Sequence, residues 1–297
     1  MKIILVATDA RGKSLVFVTD TLQIYSLQEA TQLAREKKLE NVYPVQSHAG
    51  AYLRTKPRIA KKEQLDQLSI SSYQLFSALD NINYALTTPA FANYWRLYQG
   101  SFIQGQPLIT IEGKSRITKD AVRSKLQPYR DLVFDAAQRF NVDPYLLGAV
   151  IIDEIARFGV IEPITDPLAG YFIGVNTSAG IAQVGTDTAR GLIQNDYYNP
   201  NPSDIKLSPA NIQKVSRSHL YQYVKKPEHS ISFAAARMRA LTDEWKKFVD
   251  LNKMPEIIAT LYSLEHRNPH SNPQPNDRGL QIANEFYKLA KEYLGLP

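Results

Sequence analysis

Residues 143–158, Asp-Pro-Tyr-Leu-Leu-Gly-Ala-Val-Ile-Ile-Asp-Glu-Ile-Ala-Arg-Phe, constrain this chain more than any other stretch. Asp143 is a favoured helix N-cap, and Pro144 suits the first helical position. The helix they open carries an apolar stripe that includes Leu147, Val150 and Ile151. Glu154 follows these at helical spacing, so its carboxylate falls on the apolar face. A carboxylate there is costly unless it is paired or protonated. Desolvation would raise its pKa, as a general acid working near neutral pH requires. The other reading is a carboxylate that pairs with a basic residue or reaches solvent. Asp153, next door, is expected to point elsewhere as a solvated charge.

The surrounding pattern is helical from Thr118 to the end. Thr118 can cap a helix, and Pro128 breaks or restarts it. Further helices are expected at 187–195, 230–249, 254–264 and 276–294, with a loop at Asn199-Pro-Asn-Pro202. Residues 1–58 read differently. Short apolar runs at Ile3–Thr8 and Ser14–Thr19 flank turn chemistry at Asp9–Gly12. Ser26-Leu-Gln-Glu29 has the capping-box pattern. Val42–Val45 and Ala51–Leu53 suggest a closing hairpin, giving the order β-β-α-β-β, and Arg54–Pro57 reads as an exit linker. Between them, 59–117 reads as a helical linker subdomain. Its apolar positions Leu65, Leu68, Tyr73, Phe76 and Leu79 are spaced for helical faces, Ala90–Gln99 suggests an aromatic-rich helix, and Pro107–Thr118 a small hairpin. The expected fold class is therefore α+β: a small β-rich domain at 1–58, the linker at 59–117 and a mostly helical domain at 118–297.

Composition narrows the functional classes. The 297 residues are 44% hydrophobic and 22% charged, which is ordinary globular usage. No apolar run approaches the ~20 residues of a membrane helix. The start reads as a first strand rather than a signal peptide. Cysteine is absent, so disulfides and thiolate metal sites are excluded. The net charge of +6 suits nucleic acid or an anionic cell envelope. The basic residues form no concentrated arm, so no specific nucleic-acid partner is expected.

Four pieces of the helical half carry a resemblance. Asn141-Val-Asp-Pro-Tyr-Leu-Leu-Gly-Ala-Val-Ile-Ile-Asp-Glu154 resembles the catalytic helix of the lytic transglycosylase and goose-type lysozyme superfamily. Ser178-Ala-Gly-Ile-Ala-Gln183 resembles its Ser-x-Gly-x-x-Gln turn, with Thr188-Ala189 following. Ser230–Arg239 resembles a later helix with small residues on the core. Ile258-Ala-Thr-Leu-Tyr262 resembles the segment whose tyrosine lines the site. The resemblance spans about 120–297 and implies a lysozyme-like fold that cleaves the glycan strands of peptidoglycan. The N-terminal unit resembles a small uncharacterised β-β-α-β-β domain family, on Asn41-Val-Tyr-Pro-Val45 and Ala51–Pro57, and is expected to be a docking or targeting module.

On this resemblance Glu154 is the general acid and then the base. A lytic transglycosylase needs no second carboxylate, because the muramyl 6-hydroxyl attacks. A hydrolase needs one to hold water, and Asp166 is the first candidate and Asp187 the second, with Glu162 behind them. Ser178, Gly180, Gln183 and Tyr262 would hold the sugar. No cofactor or metal is expected, and His266 and His270 read as surface residues. Ile155 follows Glu154 where the family has Ser, and Ser263 follows Tyr262 where it has Asn. Those departures motivate a rival expectation, a wall-binding protein that keeps the groove without turnover. The basic pI motivates a third, a nucleic-acid or protein-docking module. Made without an evident signal peptide, the protein is expected to reach the wall by phage lysis, an injection machine or specialised secretion.

Overall fold

The computed structural model describes residues 1–9, 11–48, 50–72, 74–75, 87–102, 108–111, 114–158, 164, 168, 178–264 and 268–296. The architecture is α+β, with strands concentrated in the N-terminal part and helices in the C-terminal part. The chain divides into two compact units, Met1–Thr118 with Arg157–Phe172 and Lys119–Ala156 with Ile173–Pro297.

The first unit begins with β1 (Ile3–Thr8) and β2 (Ser14–Thr19), paired antiparallel. The Asp9 carboxylate closes their turn by accepting the N–H groups of Arg11 and Lys13, both at 2.8 Å. A short β3 (Ile24–Ser26), absent from the expected order, adds to β2 and leads into α1 (Leu27–Arg35). The capping box forms as expected. Ser26 Oγ accepts the Glu29 N–H, and the Glu29 carboxylate accepts the Ser26 N–H at 2.8 Å. The hairpin β4 (Val42–Ser47) and β5 (Gly50–Thr55) forms a separate two-stranded sheet.

The expected boundary at 58 does not fall between structural units. Ser69–Ser71, read from sequence as helical, is a strand, β6, parallel to β1 at the sheet edge, giving the order β3-β2-β1-β6. Leu68 joins Ile3, Val6, Phe17, Leu39 and Leu53 in one core. The expected exit linker is also tied down: Lys56 N–H donates to the Asn41 carbonyl at 3.0 Å. Asn41 is itself buried, exchanging two hydrogen bonds with the Ile3 backbone. Beyond it lie α2 (Pro89–Phe102), burying Phe91, Tyr94 and Trp95, and the hairpin β7 (Leu108–Ile111) with β8 (Lys114–Thr118). Tyr73, Phe76 and Leu79 lie outside the described residues.

Among the described residues, the second unit is helical apart from one small hairpin. It runs through α3 (Lys119–Leu126), a 3-10 turn at Gln127–Tyr129 around Pro128, α4 (Arg130–Phe140) and α5 (Pro144–Phe158). The hairpin β9 (Ser178–Ala179) and β10 (Val184–Gly185) leads into α6 (Thr186–Gln194). Then come α7 (Arg217–Val224), which the sequence reading missed, α8 (Pro227–Trp245), α9 (Pro255–Ser263) and α10 (Asp277–Gln281). The expected helix at 276–294 is not uniform. One π-helical turn, Ile282–Phe286, separates α10 from α11 (Tyr287–Leu294).

Asp143 sets the start of α5. Its Oδ1 accepts the N–H groups of Tyr145 and Leu146 at 2.8 and 3.2 Å, and its Oδ2 accepts the Tyr287 hydroxyl at 2.7 Å. One carboxylate thus caps the helix and fastens it to α11.

Candidate functional site

Every side chain from Leu146 to Ala156 other than glycine is buried, so α5 runs through the core with no solvent side at this level. Glu154 is 5% exposed, as its position on the apolar face predicts. Asp153 corrects the expectation of a solvated charge, because it is 0% exposed. The sequence held the signal. Leu146–Ile152 and Ile155–Ala156 place apolar residues all round the helix, so neither acid can reach water by facing away from its neighbour.

Both acids bond to one cation that the sequence does not announce. Arg278 of α10 donates from Nε to Asp153 Oδ2 at 2.7 Å and from Nη2 to Glu154 Oε1 at 2.7 Å. Burial works against the guanidinium charge, but the charges of Glu154 and Asp153 outweigh it and hold Arg278 firmly cationic. Glu154 is thus both on the apolar face and paired with a basic residue, the second of which the sequence offered as the alternative to a protonated acid. Arg278 lies 124 residues beyond Glu154, and no local pattern announces the pairing.

The backbone around Arg278 is tightly determined. Asn276 Oδ1 accepts the Gly279 N–H at 2.7 Å and caps α10. The Asn276 N–H donates to Thr260 Oγ1 on α9 at 3.1 Å. A Cβ added to Gly279 would lie 2.0 Å from Thr260 Oγ1 and 2.5 Å from the Glu256 carbonyl, so the close approach of α10 to α9 requires glycine here.

Tyr262 is buried on α9, and its hydroxyl donates to the Ala182 carbonyl at 3.0 Å. Burial, joined by the charge of Glu154, pushes the phenol far above its ordinary pKa, while Arg237 and Arg278 pull the other way. The Arg237 guanidinium lies 5.4 Å from the Tyr262 ring centroid and donates to the Leu264 carbonyl at 2.7 Å. Ser230 on α8 holds the hairpin from the other side, accepting the Ala182 N–H at 3.1 Å. Ala182 is therefore gripped through both its backbone groups, and Glu154, Tyr262, Arg237 and the hairpin turn come together.

Other sequence-selected residues fare differently. Gly180 adopts φ +71°, and a Cβ there would lie 2.5 Å from both Ser230 Oγ and the Val224 carbonyl. Gln183 turns its side chain back, donating from Nε2 to the Gly180 carbonyl at 3.0 Å. The backbone of Ser178 pairs with Gly185, and its side chain lies outside the described residues. Asp187 sits in the first turn of α6, whose N-cap is Gly185. Arg217 engages it through Nε at 2.9 Å and Nη2 at 2.6 Å. Hydrogen bonds from Arg217 hold the Asp187 carboxyl below its ordinary pKa, against a burial contribution that raises it. Its carboxylate is thus committed to an ion pair. Asp166, Glu162 and His266 lie outside the described residues. His270 is exposed beside the Trp245 ring.

No protein-family model, curated protein or solved structure matches this chain. Among the described residues, no group of His, Asp and Glu is arranged to hold a metal ion. No helix among them is long and apolar enough to cross a membrane.

Proposed function

We propose that the protein cleaves the glycan strands of peptidoglycan as a lytic transglycosylase or muramidase, with Glu154 as general acid and base. One observation carries the reading: motif pieces spread over more than a hundred residues of chain meet through Tyr262. Glu154 on α5 acts electrostatically on Tyr262 of α9, and Tyr262 grips the turn that follows Ser178. Protonated Glu154 would give its proton to the leaving glycosidic oxygen as the C–O bond breaks. As a carboxylate it would then take a proton from the attacking hydroxyl, either the muramyl 6-hydroxyl or water. The first route needs no second carboxylate. The N-terminal unit serves as the docking module for delivery to the wall.

A second reading is favoured by one specific contact, the pairing of Arg278 with Glu154. In that reading the protein binds glycan strands without cleaving them. The deciding experiment compares the wild type with Glu154→Gln on insoluble peptidoglycan, with soluble products identified by mass spectrometry. The enzymatic reading expects release by the wild type and a loss of about 100- to 10,000-fold in the variant. Anhydro-muramyl ends identify the transglycosylase, and reducing ends the hydrolase. If the wild type pellets with the wall and releases nothing, binding without turnover takes its place.

A further inference from the structure

Glu154 faces a contradiction. A general acid must hold a proton before the bond breaks, yet a guanidinium lies 2.7 Å from its oxygen. Asp153 resolves it. The charged or titratable groups around Glu154 include Asp153 and Arg157 on its own helix, Arg278 from α10 and Tyr262 from α9. Arg237 of α8 lies against the Tyr262 ring.

The two carboxylates do not hold Arg278 equally. Asp153 takes the Nε donor and is also within ion-pair distance of Nη2, and Glu154 takes Nη2. Asp153 is 0% exposed, so its pair with Arg278 is a buried one and costly to break. The Arg278 side chain is 23% exposed. When Glu154 takes a proton, Asp153 and Arg278 remain as a neutral pair and no charge is stranded. When Glu154 gives the proton up, Arg278 is already in place to stabilise the carboxylate.

We propose that Arg278, anchored on Asp153, is a positioning residue that fixes one oxygen of Glu154 and lets that carboxyl cycle between its acid and base forms. The inference rests on the reading of Glu154 as the reacting group. The rigidity of the Arg278 backbone, set by the Asn276 cap and the glycine-only contact at Gly279, suits such a task.

The test uses the full chain with glutamate labelled at Cδ by carbon-13, and the Glu154 resonance assigned by its loss in Glu154→Gln. Its titration is followed in wild type, Arg278→Met, Arg278→Lys and Asp153→Asn. Arg278→Met is expected to move the Glu154 midpoint to higher pH, and Arg278→Lys to restore it towards wild type. Asp153→Asn, which leaves Arg278 to Glu154 alone, is expected to move it to lower pH. Opposite movements are the signature, because a merely structural defect would not produce them. Midpoints that stay put, or move the same way in Arg278→Met and Asp153→Asn, overturn the proposal. If Arg278→Met fails to fold, Asp153→Asn decides: a move to lower pH supports it, and any other result overturns it. A wild type that releases no wall product would sink the enzymatic reading and leave this titration to be judged by itself.

Discussion

Asp153 and Glu154 differ by about 100° around α5, and on an ordinary surface helix one of them would face water. Here both are buried, because the turns around them are apolar on every side. The same local logic governs Gly180. Its positive φ and its contact with Ser230 and the Val224 carbonyl exclude any Cβ. Gly180→Ala is expected to destabilise the second unit by about 1–3 kcal/mol, read from urea unfolding. Gly191 on α6 offers the opposite control, because a Cβ there meets nothing within 4 Å. Gly191→Ala should therefore stabilise, by up to about 1 kcal/mol through helix propensity. Equal effects at the two positions would contradict the packing described at Gly180.

Elements whose signals are local were legible in the sequence. The capping box of α1, the Asp143-Pro144 start of α5 and the hairpin β4–β5 follow from residues a few positions apart. Elements with weak local signals were not. β3 and β6 are three residues each and exist because a neighbouring strand pairs with them. The helix α6 illustrates how tertiary contacts reassign a residue. By sequence Asp187 is a candidate second carboxylate, and in the structure Arg217 of α7 engages it. Its folded-state pKa lies below the unfolded one, so the pair contributes stability that is fully present above the ordinary carboxylate pKa. That stability is lost as pH falls through the depressed folded value. The unfolding free energies of wild type and Arg217→Met should accordingly differ at neutral pH and converge in strong acid. A difference that does not change with pH would remove Asp187 from the account.

Across the whole molecule, the two compact units each hold one of the two tryptophans, Trp95 in the first and Trp245 in the second, both buried. Each can report on its own unit. Ser26→Ala removes the α1 cap and should cost the first unit about 1 kcal/mol. In a Trp245→Phe background, Trp95 fluorescence should show that loss as an earlier urea midpoint. In a Trp95→Phe background, Trp245 fluorescence should be unmoved. Equal displacement of both signals would mean that the units unfold as one.

The sequence by itself determined the α+β class, the buried helix that carries Glu154, the capped helix starts and the change from strand-rich to helical pattern near Thr118. These depend on periodicity and on contacts between near neighbours, which a linear pattern records directly. Only the tertiary structure decided that Ser69–Ser71 belongs to the first sheet, that Ala182 is gripped from two helices, and that Arg278 joins Asp153 and Glu154. Each of those depends on groups far apart in the chain meeting at hydrogen-bond distance. That distance is set by how whole helices pack, and no residue carries a local mark of its distant partner.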